Sequence, residues 1–184
     1  MKLNLLFASL IALMVFTFPS CSESTTSEKK EAEKAEPKPD PNTLFSNFET
    51  VFFQEKLPFS LPHTTPPMGT SLPIELLDNF IKRKVEAYPL ARFSLNNGFT
   101  AFITAENKDG NFNFILNVFD KAGKVTSHKM VAGKDAGTSI DAMFVEGGTW
   151  TETRTPVSEA TGEANGEPII TSHTISKDGQ IVTK

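Results

Sequence analysis

Asn111-Phe112-Asn113-Phe114-Ile115-Leu116-Asn117-Val118-Phe119 is the stretch on which the fold turns. Phe112, Phe114, Leu116 and Val118 recur at every second position, with Asn111, Asn113 and Asn117 between them. A strand sends successive side chains to opposite faces, so this spacing predicts a half-buried antiparallel strand. The preceding Phe99, Ala101, Ile103 and Ala105 keep the same period. Between the two runs lies Asn107-Lys108-Asp109-Gly110. Asn and Asp bond locally to the backbone and Gly accepts positive φ, which makes this a hairpin tip.

Asp120-Lys121-Ala122-Gly123 and Lys177-Asp178-Gly179 repeat that turn chemistry. Further strands are expected at Lys124–Val131, Thr138–Glu146, Thr149–Val157, Pro168–Ser176 and Gln180–Thr183. Gly147-Gly148 gives a tight connection, and Ser158–Glu167 a longer, mobile one. Seven or eight short strands joined by hairpins predict a mainly β domain, an antiparallel up-and-down meander. Closure into a barrel is the first choice, because an unclosed edge invites aggregation. A strongly twisted open sheet is the other form of the meander, and a propeller-like or sandwich arrangement the alternative.

Toward the N-terminus the period lengthens. Leu44, Phe45, Phe48, Val51 and Phe52 suit a short amphipathic helix behind an Asn42 or Thr43 cap, although Thr50–Phe53 equally reads as a strand. Pro58, Pro62, Pro66 and Pro67 make Leu57–Leu72 a stiff loop across one end of the sheet. A second helix is expected over Ser71–Glu86, with Ile74, Leu77, Phe80, Ile81 and Val85 as its buried stripe. Pro73 suits its first turn, and Lys82-Arg83-Lys84 complement its negative end, with anionic headgroups as a sharper use for that cluster. Tyr88-Pro89 closes the segment. Residues 43–184 thus read as one domain, helical and proline-rich over 43–90 and a β-meander over 91–184.

Residues 21–42 contain mostly Ser, Thr, Glu, Lys, Pro and Asp, and cannot bury enough surface to offset the entropy of ordering. They read as a spacer reaching about 70 Å when fully extended. Ahead of them stands Met1–Cys21, with basic Lys2, apolar Leu3–Phe18, then Pro19, Ser20 and Cys21. That is the layout of a secretory signal, and the apolar run is shorter than the roughly 20 residues that cross a bilayer. Cys21, the only cysteine, sits where the signal would be cut, after Ser20. The arrangement resembles the lipobox of bacterial lipoproteins, with Phe18 and Pro19 departing from the usual pattern. The resemblance implies residues 1–20 as signal peptide, cleavage between Ser20 and Cys21, and acylation of Cys21. Ser22 in place of Asp then implies the outer membrane, with the side it faces left open.

The folded part resembles a loose group of uncharacterised exported and lipid-anchored bacterial proteins. The likeness rests on Phe119–Val125, on Ile175–Val182 and on Leu57-Pro58-Phe59 ahead of a β-meander. It implies fold and location, and no particular activity.

Charge and motif content bound the function. With Lys2 set aside, 17 basic against 22 acidic side chains leave a formal charge of −5, which argues against nucleic acid. With Cys21 used by the signal, the domain has no thiol for disulfides, metals or nucleophilic chemistry. The sequence lacks G-x-S-x-G, H-E-x-x-H, a glycine-rich phosphate loop and an EF-hand loop. His63, His128 and His173 lie far apart; Asp135 and Asp141 near His128 read as solvated turn and strand positions, and Tyr88 and Trp150 as core or rim aromatics. No catalytic residue, cofactor or metal ligand is therefore assigned. The expectation is a non-catalytic lipoprotein, held to the membrane by acyl chains and contacting another envelope protein. A wall-hydrolase inhibitor acting through Ser158–Glu167, a small apolar-ligand carrier and an envelope hydrolase are the alternatives.

Overall fold

The computed structural model describes residues 40–95 and 97–184, so Ser20, Cys21 and nearly all of the spacer lie outside the described residues. Ten strands follow one another: β1 (Phe53–Gln54), β2 (Phe59–Leu61), β3 (Ala87–Ser94), β4 (Thr100–Lys108), β5 (Asn111–Phe119), β6 (Val125–Asp135), β7 (Thr138–Val145), β8 (Thr149–Pro156), β9 (Ile169–Ile175) and β10 (Ile181–Thr183). From β3 to β10 each strand pairs antiparallel with the next. β1 adds to β3 in parallel, and β2 lies on β7.

The sheet does not close, and the barrel expectation is corrected by the behaviour of β6. Its first part, Val125–Ala132, pairs with β5, whereas only Gly133–Asp135 pair with β7. The β5–β6 register slips twice, once between Phe114 and Ile115. Beyond that slip Gly133 holds φ 132, and a Cβ there would stand 2.6 Å from the Asn113 side chain. A bulge of this kind bends the strand. The first half of β6 thus leaves β7, and β2 takes the vacated edge, Leu61 opposite Ala142 and Phe59 opposite Phe144. The terminal strands of the sheet are short, β1 with two residues and β10 with three. Side chains then link the β9–β10 tip to β6: Thr126 Oγ1 and Ser127 Oγ donate to the Gly179 carbonyl at 3.0 and 2.6 Å, and Gln180 Nε2 donates to the Thr126 carbonyl at 3.0 Å.

Two apolar clusters flank the first half of the sheet. The inner one joins Ala91, Phe93, Ile103, Leu116 and Val118 to Ala142, Phe144 and Trp150, so the bend packs β3–β5 over β7–β9. The outer one covers Phe102 and Phe119 with Phe48, Phe52, Leu77 and Ile81. Asn117 is 1% exposed although it lies on the face expected to meet solvent. Strands β4 and β5 are buried on both sides, because Phe102, Ile115 and Phe119 make their second face a core as well.

Helical structure is brief. α1 (Pro41–Thr50) starts behind Asp40, whose carboxylate accepts from the Thr43 amide, and not behind Asn42 or Thr43. The helix expected over Ser71–Glu86 is replaced by one α-helical turn, α2 (Ile74–Leu76), which widens into π-helical Leu77–Ile81 and ends at left-handed Lys82, φ 57. Residues 83–86 are neither helix nor strand, and β3 begins at Ala87. Tyr88-Pro89 does not close a helix but lies inside β3, where the ladder to β4 slips between Pro89 and Ala91. Likewise Phe59–Leu61, read as loop, forms β2. Among the described residues no helix is long and apolar enough to cross a membrane.

Candidate functional site

The inner face of β8 carries Trp150, Glu152 and Arg154 two residues apart. Glu152 is 1% exposed and is the one buried carboxylate among the described residues. Its Oε1 faces Lys129 Nζ from β6 at 3.1 Å and His173 Nε2 from β9 at 3.3 Å. Its Oε2 accepts from Arg154 Nη2 at 3.3 Å. His173 stacks on Trp150 with ring centroids 5.1 Å apart, and its Nδ1 meets Thr183 Oγ1 at 3.1 Å. Burial pushes His173 below its ordinary value of 6.5, while the Glu152 carboxylate pulls the other way. Acid–base work requires a group that substrate can reach. Glu152 instead ties β6, β8 and β9 together from within.

On the outer face of β4–β6 a second centre surrounds Arg83. Its Nη2 meets Glu106 Oε1 at 2.6 Å and donates to Asn117 Oδ1 at 3.0 Å. Asn117 Nδ2 in turn donates to Thr104 Oγ1 at 3.2 Å and to the Ile115 carbonyl at 3.1 Å. Burial raises the Glu106 carboxyl above its ordinary 4.5, against the pull of Arg83. His128 opens onto this centre. Partial desolvation, and after it the Arg83 charge, hold its imidazole below 6.5. Beside it lies a cleft of about 450 Å³ bounded by residues 79–83 and by Gly123, Lys124, Val125 and His128. Gly123 is required there: its φ is 73°, and a Cβ would stand 2.7 Å from the Phe45 ring.

The structure separates the histidines and gives each its own surroundings. His63 uses Asp141: its backbone amide donates to Oδ1 at 2.6 Å, and its Nδ1 lies 2.8 Å from the same oxygen. Asp141 therefore serves the proline loop across 78 residues, not His128. Asp135 is exposed at the end of β6. Trp150 is core, and Tyr88 donates to Glu86 Oε1 at 2.7 Å. The Ser158–Glu167 connection is closed by its own backbone, with the Ser158 amide donating to the Glu163 carbonyl at 2.8 Å and a Val157–Ala164 bridge. Among the described residues no three His, Cys, Asp or Glu side chains are grouped to hold a metal ion.

Sequence reading missed Glu152, Lys129 and Arg83 as organising residues. For Glu152 a signal existed. In Thr149–Arg154 the alternation that turns Trp150 inward turns Glu152 inward too. No protein-family model, curated protein or solved structure was found to match the chain.

Proposed function

We propose that the chain is a lipid-anchored lipoprotein of the bacterial cell envelope, held at the outer membrane through acylated Cys21, whose β-domain is a non-catalytic binding module. The observation that carries this reading is the position of Cys21, the only thiol of the chain, directly behind the apolar stretch Leu3–Phe18 and Ser20. One acyl chain binds a bilayer only marginally, and lipoprotein processing adds the further chains that stable attachment requires. A packed interior, filled by Phe93, Phe114, Phe144 and Trp150, favours binding at the surface over carriage of an apolar ligand inside the sheet.

Labelled palmitate fed to expressing cells tests the anchor. The expected result is label on the wild-type protein, a mature N-terminus at Cys21, and loss of both in Cys21→Ser. An unlabelled protein that still begins at Met1 overturns the proposal. Crosslinking in intact envelopes then tests binding, with one stoichiometric envelope protein as the expected product.

A further inference from the structure

The cleft beside Arg83 has a chemistry at odds with the rest of the chain. The whole sequence carries a formal charge of −4, yet every charged residue lining this cleft is a cation: Lys82, Arg83 and Lys124. Lys82 and Lys124 are exposed and make no ion pair among the described residues. Arg83 is held rigidly from behind. Glu106 and Asn117 both engage Nη2, so the guanidinium is fixed before any ligand arrives. Glu106 offsets much of Arg83's charge, which leaves the two lysines as the uncompensated pair. Asp120 is turned away, its Oδ1 accepting from the Ala122 and Lys124 amides within its own turn.

The other wall is apolar. Phe80, Ile81 and Val125 line it at the margin of the Phe48 cluster, with Phe80 and Phe45 ring centroids 5.6 Å apart. A volume near 450 Å³ falls within the range of small-ligand sites, in which apolar walls supply affinity and a few polar groups fix orientation. The larger cleft of about 560 Å³ at Glu55, Lys56 and Glu146 mixes both signs of charge and selects neither.

We infer that the cleft between residues 79–83 and the β5–β6 turn binds a small amphiphilic anion, a carboxylate or phosphate head joined to a short apolar body. Lys82 and Lys124 receive the head, and Phe80, Ile81 and Val125 the body. This rests on the binding-module reading above and names the ligand class of one of its surfaces.

Calorimetric titration of the mature protein in phosphatidylcholine nanodiscs tests it, with empty nanodiscs subtracted. Octyl phosphate and octanoate are the probes, with inorganic phosphate, octanol and octyltrimethylammonium as comparisons. Both anionic amphiphiles should bind, octanol and the cation should not, and inorganic phosphate should bind at least tenfold more weakly. Lys82→Ala with Lys124→Ala should weaken octyl phosphate at least tenfold, while the paired Arg substitutions retain it. An unchanged urea midpoint in both variants shows that the fold is intact. Absence of heat with both amphiphiles, equal affinity for inorganic phosphate, or indifference to the lysines overturns the inference. An envelope crosslink that survives in the Lys→Ala variant separates failure of this site from failure of the binding-module reading.

Discussion

Removing Lys129 is expected to cost more stability than removing Glu152, although the two are partners. Exposure decides the order. Glu152 is 1% exposed, whereas the Lys129 and Arg154 side chains are 27% and 39% exposed. In Glu152→Gln the two cations turn to water, and the amide keeps the shape of the site. That loss is about 1.5 kcal/mol, the lower end for a hydrogen bond to a charged group, because both cations regain water. In Lys129→Met the carboxylate stays sealed, with Arg154 at 3.3 Å as its remaining cation. Breaking a buried pair by removing one partner costs about 3–5 kcal/mol, and with Arg154 left in place the lower end applies. At a urea slope of about 1–3 kcal/mol per M, a 3 kcal/mol loss lowers the midpoint by about 1–3 M. Equilibrium urea unfolding at pH 7, followed by Trp150 fluorescence, measures both variants and the double substitution. The double variant should recover about 2 kcal/mol relative to the sum of the singles, because the stranded anion is gone. If Glu152→Gln proves the more damaging substitution, or the two effects simply add, the stranded-carboxylate argument is wrong.

His173 gives the domain an acid sensitivity of fixed sign. Its folded-state value lies below the ordinary 6.5, so the unfolded chain binds the proton first. Its contribution is complete above about pH 6.5 and is lost as pH falls from there through the depressed value. In His173→Gln, stability measured between pH 7 and 5 should lose that part of its slope, and an unchanged slope would exonerate the residue. Phe48 is 0% exposed, with the Phe52, Phe80 and Phe102 ring centroids 5.0, 4.9 and 5.3 Å away. Phe48→Ala should cost about 3–5 kcal/mol in the same urea assay. A loss below 1 kcal/mol would mean that the outer cluster contributes little to holding the fold.

The β-meander was legible where the period and the turn chemistry agreed. Asn111–Phe119 forms a strand with the bounds its alternation gave, and Thr138–Glu146 is one residue longer than the strand observed. Local rules failed where tertiary pairing outweighed them. Pro89 argued against a strand, yet β3 absorbs it at a register slip, and the expected second helix stops at left-handed Lys82, which leaves residues 83–86 irregular ahead of β3. Open against closed was beyond reach from periodicity, because the difference lies in the bend of β6 around Val131–Gly133. The Arg83 centre was hidden for a related reason. It joins residues 106 and 117 from two strands to residue 83 in the segment ahead of β3, and Asn117 looked like a solvent-facing member of an alternating strand.

The strand that opens the sheet also determines which face each polar centre occupies. Asn117 on β5 lies opposite His128, and Leu116 opposite Lys129. Successive residues point to opposite faces, so β6 shows His128 to the Arg83 centre outside and Lys129 to Glu152 inside. A shift of register by one residue would reverse both, placing an imidazole against the buried carboxylate and an ammonium beside Arg83. The second slip, between Val118 and Phe119, fixes the alignment at the near end of β6, and the first fixes it at the corner. Gly179 lets the β9–β10 tip approach this end closely, since a Cβ there would stand 2.6 Å from Thr126 Oγ1. The continuous register between the slips, Ile115 opposite Met130 to Val118 opposite Ser127, sets both centres at once, and sheet closure is given up at the bend just beyond it.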